Sequence, residues 1–216
     1  MEQRAFYEHV LHPLMKRAAS GKIALLFLDA AHFVMGMGFL GYVYGKVRRF
    51  VGTYSGRKRY NVLGALDYVT KKVHVVTNDK YISATEVCEM LHRLGETYAG
   101  KEIHLVLDNA RYQKCELAQA TAKELGIHLE YIPPYSPNLN LIERMWKFVK
   151  GSLRTRYYDD FGEFCKRIDD IIASTAVENK VLLDKLIGEK VQLFDDRELL
   201  WENTFCLCKG TQKIAI

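Results

Sequence analysis

The sequence predicts an α/β domain built on one mixed β-sheet with helices on its faces. Three observations predict it. Ile23 to Leu28 is a short, wholly apolar run that reads as a buried strand. The stretch from Gly38 to Asn78 alternates apolar and polar residues, is rich in Val and Tyr, and is punctuated by glycines, the pattern of two or three hairpin strands. From Ala84 onward, helical and strand patterns alternate. Hairpin strands that feed βαβ-type crossovers give a sheet with an antiparallel and a parallel part. The composition agrees: 216 residues with 49% apolar and 26% charged side chains are ordinary for a globular chain.

The elements follow in order. Phe6, Val10, Leu11, Leu14 and Met15 recur at helical spacing until Ser20-Gly21 stops the pattern. The strand Ile23–Leu28 comes next and ends on Asp29. GTYSGRKR (52–59) is a polar loop, and Thr70-Lys71-Lys72 a tight turn. Val87, Met90, Leu91 and Leu94 share a helical face over 84–98, with Ser83 and Glu86 spaced as a capping box. Ile103–Leu107 is a second apolar strand and ends on Asp108. A helix over about 113–125 closes on Gly126, suited to a left-handed cap. Ile127–Ile132 is a strand, followed by the proline-braced loop PPYSPNLN, a helix over 141–153 and a last amphipathic helix over 161–174. Residues 1–21 form an N-terminal helix, 22–175 the main domain and 176–216 a tail with no legible motif.

Several classes are excluded. No run reaches the roughly eighteen apolar residues of a membrane-spanning helix. The N-terminus MEQRAFYEHV has no signal-peptide core. Five scattered cysteines (Cys88, Cys115, Cys165, Cys206, Cys208) make an odd set, so a reducing compartment and no disulfide framework are expected. Cys206 and Cys208 lack the second Cys or His pair of a zinc site.

The candidate chemistry lies in three carboxylates. Asp29 and Asp108 each follow an apolar strand, and the carboxyl ends of strands joined by crossover helices form a ligand crevice. Either one alone reads better as a turn residue bonding its own backbone, and only the two together make the two readings comparable. Glu143 alone reads as the capping-box partner of Asn140, or as an i, i+4 partner of Lys147. Together the three acids could hold two hard divalent cations, Mg²⁺ or Mn²⁺, the pair that drives in-line phosphoryl transfer. His32 and Asn109 are secondary candidates: a lone histidine at a strand end is more often structural, and Asn109 serves equally well as a turn amide. Asp67 and Asp79 are rival acids, but neither ends a buried strand.

At these residues a family becomes legible. LDAAHF (28–33), DNARY (108–112) and YIPPYSPNLNLIERMWKFVK (131–150) resemble the catalytic domain of bacterial insertion-sequence transposases related to mariner elements. The interval between the last two acids is 143 − 108 − 1 = 34 residues, typical of that superfamily. The resemblance spans roughly residues 22–175 and is carried mainly by the PPYSPxLNxIE block. It implies an RNase H-like fold with a five-stranded sheet, three strands antiparallel and then two parallel. It assigns the catalytic, metal-holding triad to Asp29, Asp108 and Glu143, and DNA cleavage and strand transfer at element ends to the chain. It further implies double-stranded DNA as partner, a homodimer or larger assembly on that DNA, and a bacterial cytoplasm with association to the nucleoid. Family members begin with helix-turn-helix modules, whereas only about twenty residues precede the first catalytic strand here; residues 1–21 are therefore expected to be the remnant of a linker to a DNA-binding part.

Charge is the last observation. Lysines and arginines exceed acids by 31 − 26 = 5. Arg48, Arg49, Arg57, Lys58 and Arg59 form one basic cluster interleaved with tyrosines, and Lys147 and Lys150 belong to a second along the helix of Glu143. Grouped cations beside a catalytic edge would neutralise phosphates without reading sequence. Two other functions fit the same residues: a different two-metal nuclease on the same fold, or a non-catalytic remnant that binds DNA or inhibits a full-length relative. Strand transfer separates them.

Overall fold

The structure, a computed structural model, describes residues 2–35, 58–78, 80–153, 156, 158, 160–175, 184, 185 and 187. Helix α1 (Glu2–Phe6) runs through a π-helical turn (Tyr7–Leu11) into α2 (His12–Ala19), and Gly21, at φ +75°, reverses the chain. Strand β1 (Ile23–Val34) is followed by β2 (Arg59–Asp67) and β3 (Val73–Asn78). Then come α3 (Ala84–Thr97), β4 (Glu102–Leu107), α4 (Glu116–Glu124) and β5 (Ile127–Tyr131). A 3₁₀ turn at Pro137–Leu139 leads to α5 (Ile142–Leu153), and α6 (Phe161–Thr175) completes the order.

The strands form one sheet in the order β3-β2-β1-β4-β5. β1, β2 and β3 pair antiparallel, while β4 and β5 add in parallel on the other side of β1. Three antiparallel strands and two parallel ones are the expected arrangement. Alternate residues of β1 feed two cores. Ile23, Leu25, Phe27, Ala31 and Phe33 pack with α2, α5 and α6, and fully buried Ile187 joins them. Ala24, Leu26 and Leu28 face α3 and α4. Helices therefore cover both faces.

Local chemistry explains the element ends. The Ser83 Oγ accepts from the Thr85 N–H, and the Glu86 carboxylate accepts from the Ser83 N–H at 2.7 Å, closing the capping box. The β2–β3 turn is held by Asp67, whose Oδ1 accepts from the N–H groups of Val69 and Thr70 and whose Oδ2 accepts from the Tyr98 hydroxyl. Asp67 is thus a structural acid. Gly126, at φ +66°, ends the α4 region as expected, although α4 itself begins at Glu116 and not at 113.

One expectation is corrected. β1 does not end at Asp29. It continues to Val34 because β2 pairs with it without a break, from Leu26↔Asp67 to Val34↔Arg59. Asp29 is a mid-strand residue opposite Gly64. What does end at Leu28 is the parallel pairing with β4. The expected loop 52–59 falls outside the described residues up to 57, as do Asp79, Cys206 and Cys208.

Candidate active site

The sheet register brings the first two acids together. Leu28 pairs with Leu107 in the last parallel step between β1 and β4, so Asp29 and Asp108 follow side by side. By alternation both lie on the α5 face, the face of Phe27 and Val106. Glu143 reaches them from the first turn of α5. Carboxylate oxygens of Asp29, Asp108 and Glu143 lie within 4.8 Å of one another.

Asn140 joins the three. It is buried, and its Nδ2 donates to the Leu28 carbonyl at 3.0 Å and to Asp108 Oδ1 at 3.1 Å. Reversing the amide would set its oxygen against two acceptors, so the chemistry fixes its orientation. A single side chain thereby binds the backbone next to Asp29, the Asp108 carboxylate and the segment that launches α5.

This arrangement corrects the capping-box reading of Glu143. The Asn140 N–H donates to Pro137, not to the Glu143 carboxylate, and the Asn140 Oδ1 accepts no bond. No ion pair joins Glu143 to Lys147 among the described residues; the cation that bears on Glu143 is Lys150.

Gly64 and Trp146 were not legible as site residues. Gly64 lies opposite Asp29, and a Cβ there would stand 2.6 Å from Cη2 and Cζ2 of Trp146. The missing side chain lets the buried Trp146 ring lie on the sheet beside Asp29. Only the register of β2 could have indicated this. Tyr112 is a further addition: burial first, then the charges of Asp29 and Asp108, push its hydroxyl up to about 12.

The electrostatics follow from burial and like charge. Asp29 is pushed up to about 7, by burial first and then by Glu143 and Asp108. The Ala30 N–H and the Trp146 indole offset part of this; the indole N–H meets no acceptor in good geometry, so desolvation dominates. Asp108 is raised by burial, with the Asn140 bond opposing. Glu143 is raised by burial and then by Asp108, with Lys150 opposing; its tip reaches solvent, which softens the effect. Asp29 and Glu143, each raised by carboxylates beside it, suit a bound cation, and an all-oxygen donor set suits a hard one.

His32 and Asn109 make structural contacts. His32 Nδ1 lies 2.7 Å from Asn61 Oδ1, and Asn109 Nδ2 donates to the Ile132 carbonyl. Lys58 stacks over Phe161, and Arg59 is exposed at the start of β2. Lys150 lies over Phe33, while Lys147 and Arg144 line a groove of about 260 Å³ with Pro137, Asn138, Asn140 and Glu143. Arg48, Arg49 and Arg57 lie outside the described residues.

Residues 24–165, well over half of the chain, match the family model of the DDE superfamily endonucleases. The chain belongs to that family. This DDE domain is 35% identical over 111 residues to the insertion element IS630 uncharacterized 39 kDa protein of Shigella sonnei, a match covering 50% of the chain and 32% of that protein. The chain thus matches about a third of the length of that curated relative. Among solved structures, it is similar to the catalytic domain of Mos1 mariner transposase, with a TM-score of 0.59 and 12% identity over 89% of the chain and 96% of the other. A Mos1 transposase paired-end complex with the left transposon end gives 0.59 and 14% over 88% and 63%. At such identities the likeness is one of fold. The sheet of the DDE domain is accordingly RNase H-like.

Proposed function

We propose that this DDE domain is the catalytic part of a transposase that cuts DNA at insertion-sequence ends and joins the freed 3′ end to target DNA. The observation that carries the proposal is the convergence of Asp29, Asp108 and Glu143 to within 4.8 Å in a member of the DDE superfamily endonucleases. Their all-oxygen donor set fits Mg²⁺ or Mn²⁺, and Asp29, Asp108 and Glu143 are the residues that would hold such ions. When bound, such ions activate the attacking oxygen and stabilise the leaving oxygen of an in-line phosphoryl transfer.

The chain's own residues do the rest. Asn140 holds Asp108 against the middle of β1 at the Leu28 carbonyl, which keeps the acids aligned while charge redistributes. Trp146 screens the inner side of Asp29 from water. Tyr112 keeps its proton at neutral pH and so stays a donor beside the acids. Lys147 and Arg144 in the groove, with Lys150 close to Glu143, supply positive charge where a phosphate would lie. Lys58, Arg59, Arg48, Arg49 and Arg57 are assigned to flanking duplex. Nothing in this chemistry requires a side-chain nucleophile. Mos1 transposase, a fold relative, is solved as a paired-end complex on transposon-end DNA. By analogy the substrate is double-stranded DNA held by two or more copies, in a bacterial cytoplasm and at the nucleoid when bound.

The test is incubation of the chain with duplexes carrying the flanks of its own element, in Mg²⁺ and in Mn²⁺, with mapping of the ends. Cleavage at the element terminus followed by joined product supports the proposal. Cutting without joining would assign the domain to another RNase H-like nuclease, and binding without cutting would make it a non-catalytic remnant.

A further inference from the structure

A second cluster of ligating side chains lies at the opposite end of the parallel strands. Glu102 and His104 on β4, and His128 and Glu130 on β5, lie two positions apart on each strand, and His104 pairs in register with His128. All four therefore project from one face. His104 is buried, while Glu102 and His128 are exposed. His104 lies four positions before Asp108, about 13 Å of extended chain, so this is not an outer part of the carboxylate triad.

The chemistry of His104 points to a ligand. Its Nδ1 lies 2.9 Å from Glu130 Oε1 and its Nε2 lies 2.7 Å from Glu102 Oε1. A neutral imidazole donates from one nitrogen only, so two carboxylates facing both nitrogens call for an added cation, either a proton or a metal ion. The second choice reproduces a known pattern. A metal-bound histidine commonly donates its other N–H to a carboxylate, which fixes the ring and raises its basicity. Glu130 occupies that position. Glu102 is oriented as well, because Arg17 Nη2 holds its Oε2 at 2.6 Å and leaves Oε1 on the His104 side.

The third ligand is His128, whose ring stacks on that of His104 at a centroid separation of 4.7 Å. Ligating atoms of Glu102, His104 and His128 lie within 4.8 Å of one another. Tetrahedral binding at about 2.1 Å would draw them to about 3.4 Å apart. An exposed His128 ring can turn to close that gap. Two imidazoles and one carboxylate suit a borderline transition ion, not the hard ions of the triad.

We propose that Glu102, His104 and His128, with Glu130 behind His104, bind a divalent transition ion such as Zn²⁺ at the amino ends of β4 and β5. The site is independent of the transposase reading.

The test titrates tag-free full chain with Zn²⁺ by calorimetry, in excess Mg²⁺, and repeats the titration with Co²⁺ while recording its visible absorption. The expected result is one Zn²⁺ per chain and a Co²⁺ spectrum of tetrahedral intensity. His128→Ala, at an exposed position that leaves the core intact, should weaken Zn²⁺ binding at least tenfold. Glu130→Gln should weaken it about 10- to 100-fold, the effect of removing a ligand's carboxylate partner. Glu143→Gln should leave it unchanged. No Zn²⁺ binding by the parent chain, full affinity in His128→Ala, or lost affinity in Glu143→Gln would each overturn the proposal; the first would make the cluster a protein-only ion triad.

Discussion

Glu143 and Asn140 sit three residues apart and do different work. Glu143→Gln keeps the size of the side chain and removes its charge, and a neutral amide is a poor ligand for a hard cation. Divalent-dependent cleavage should fall to near background in both Mg²⁺ and Mn²⁺. Stability, read from urea unfolding, should stay within about 0.5 kcal/mol, since no packing or cap is lost. Cleavage near the parent rate would remove Glu143 from the triad. Asn140→Ala deletes both bonds that tie Asp108 to the Leu28 carbonyl and leaves a buried acceptor unpaired. That costs about 1–3 kcal/mol, and cleavage should fall with it because Asp108 loses its tether. A variant that unfolds no more easily than the parent and cuts normally would show that the amide is dispensable. At Asp29 the sign follows from a folded value near 7 against an ordinary 3.8. Between those values the folded state binds more protons than the unfolded one, so metal-free stability falls as pH rises from about 4 to about 7. Melting temperature against pH in a chelator should show this fall, and Asp29→Asn should flatten it.

At the scale of elements, the approach of α5 to the sheet decides whether a site exists. Trp146 and Ile142 of α5 lie over Gly64 of β2, with Trp146 ring carbons where a Cβ would stand. Gly64→Ala must therefore push α5 outward, carrying Glu143 away from Asp29 and Asp108. Overpacking of this kind costs about 1–3 kcal/mol. The same variant should lose most of its cleavage, although residue 64 touches no substrate. An unchanged melting temperature with unchanged cleavage would mean that Trp146 repacks freely. The helix start could be read from chain spacing at Ser83 and Glu86, because a capping box is a local motif. The same motif misled at Asn140, whose Nδ2 is bound by the tertiary acceptors Leu28 and Asp108 while its Oδ1 accepts from no local N–H. Spacing cannot reveal that competition.

For the whole molecule, the net charge of +5 and the cations around the groove define how DNA would be held. Phosphate contacts release counterions and carry no base information. DNA affinity of this chain should therefore fall steeply with salt and differ little between sequences. Fluorescence anisotropy with scrambled and element-end duplexes across a salt series checks this. A binding preference for one short sequence that survives high salt would show that the chain reads bases by itself. What the sequence by itself determined is the order of helices and strands, their mixed pairing and three candidate acids, because periodicity, caps and short motifs are properties of neighbouring residues. Only the tertiary structure decided that β1 runs past Asp29, that Gly64 makes room for Trp146, and that Asn140 serves Asp108 instead of capping α5. Each of these depends on partners distant in the chain, and a residue's own spacing carries no record of what the fold places opposite it.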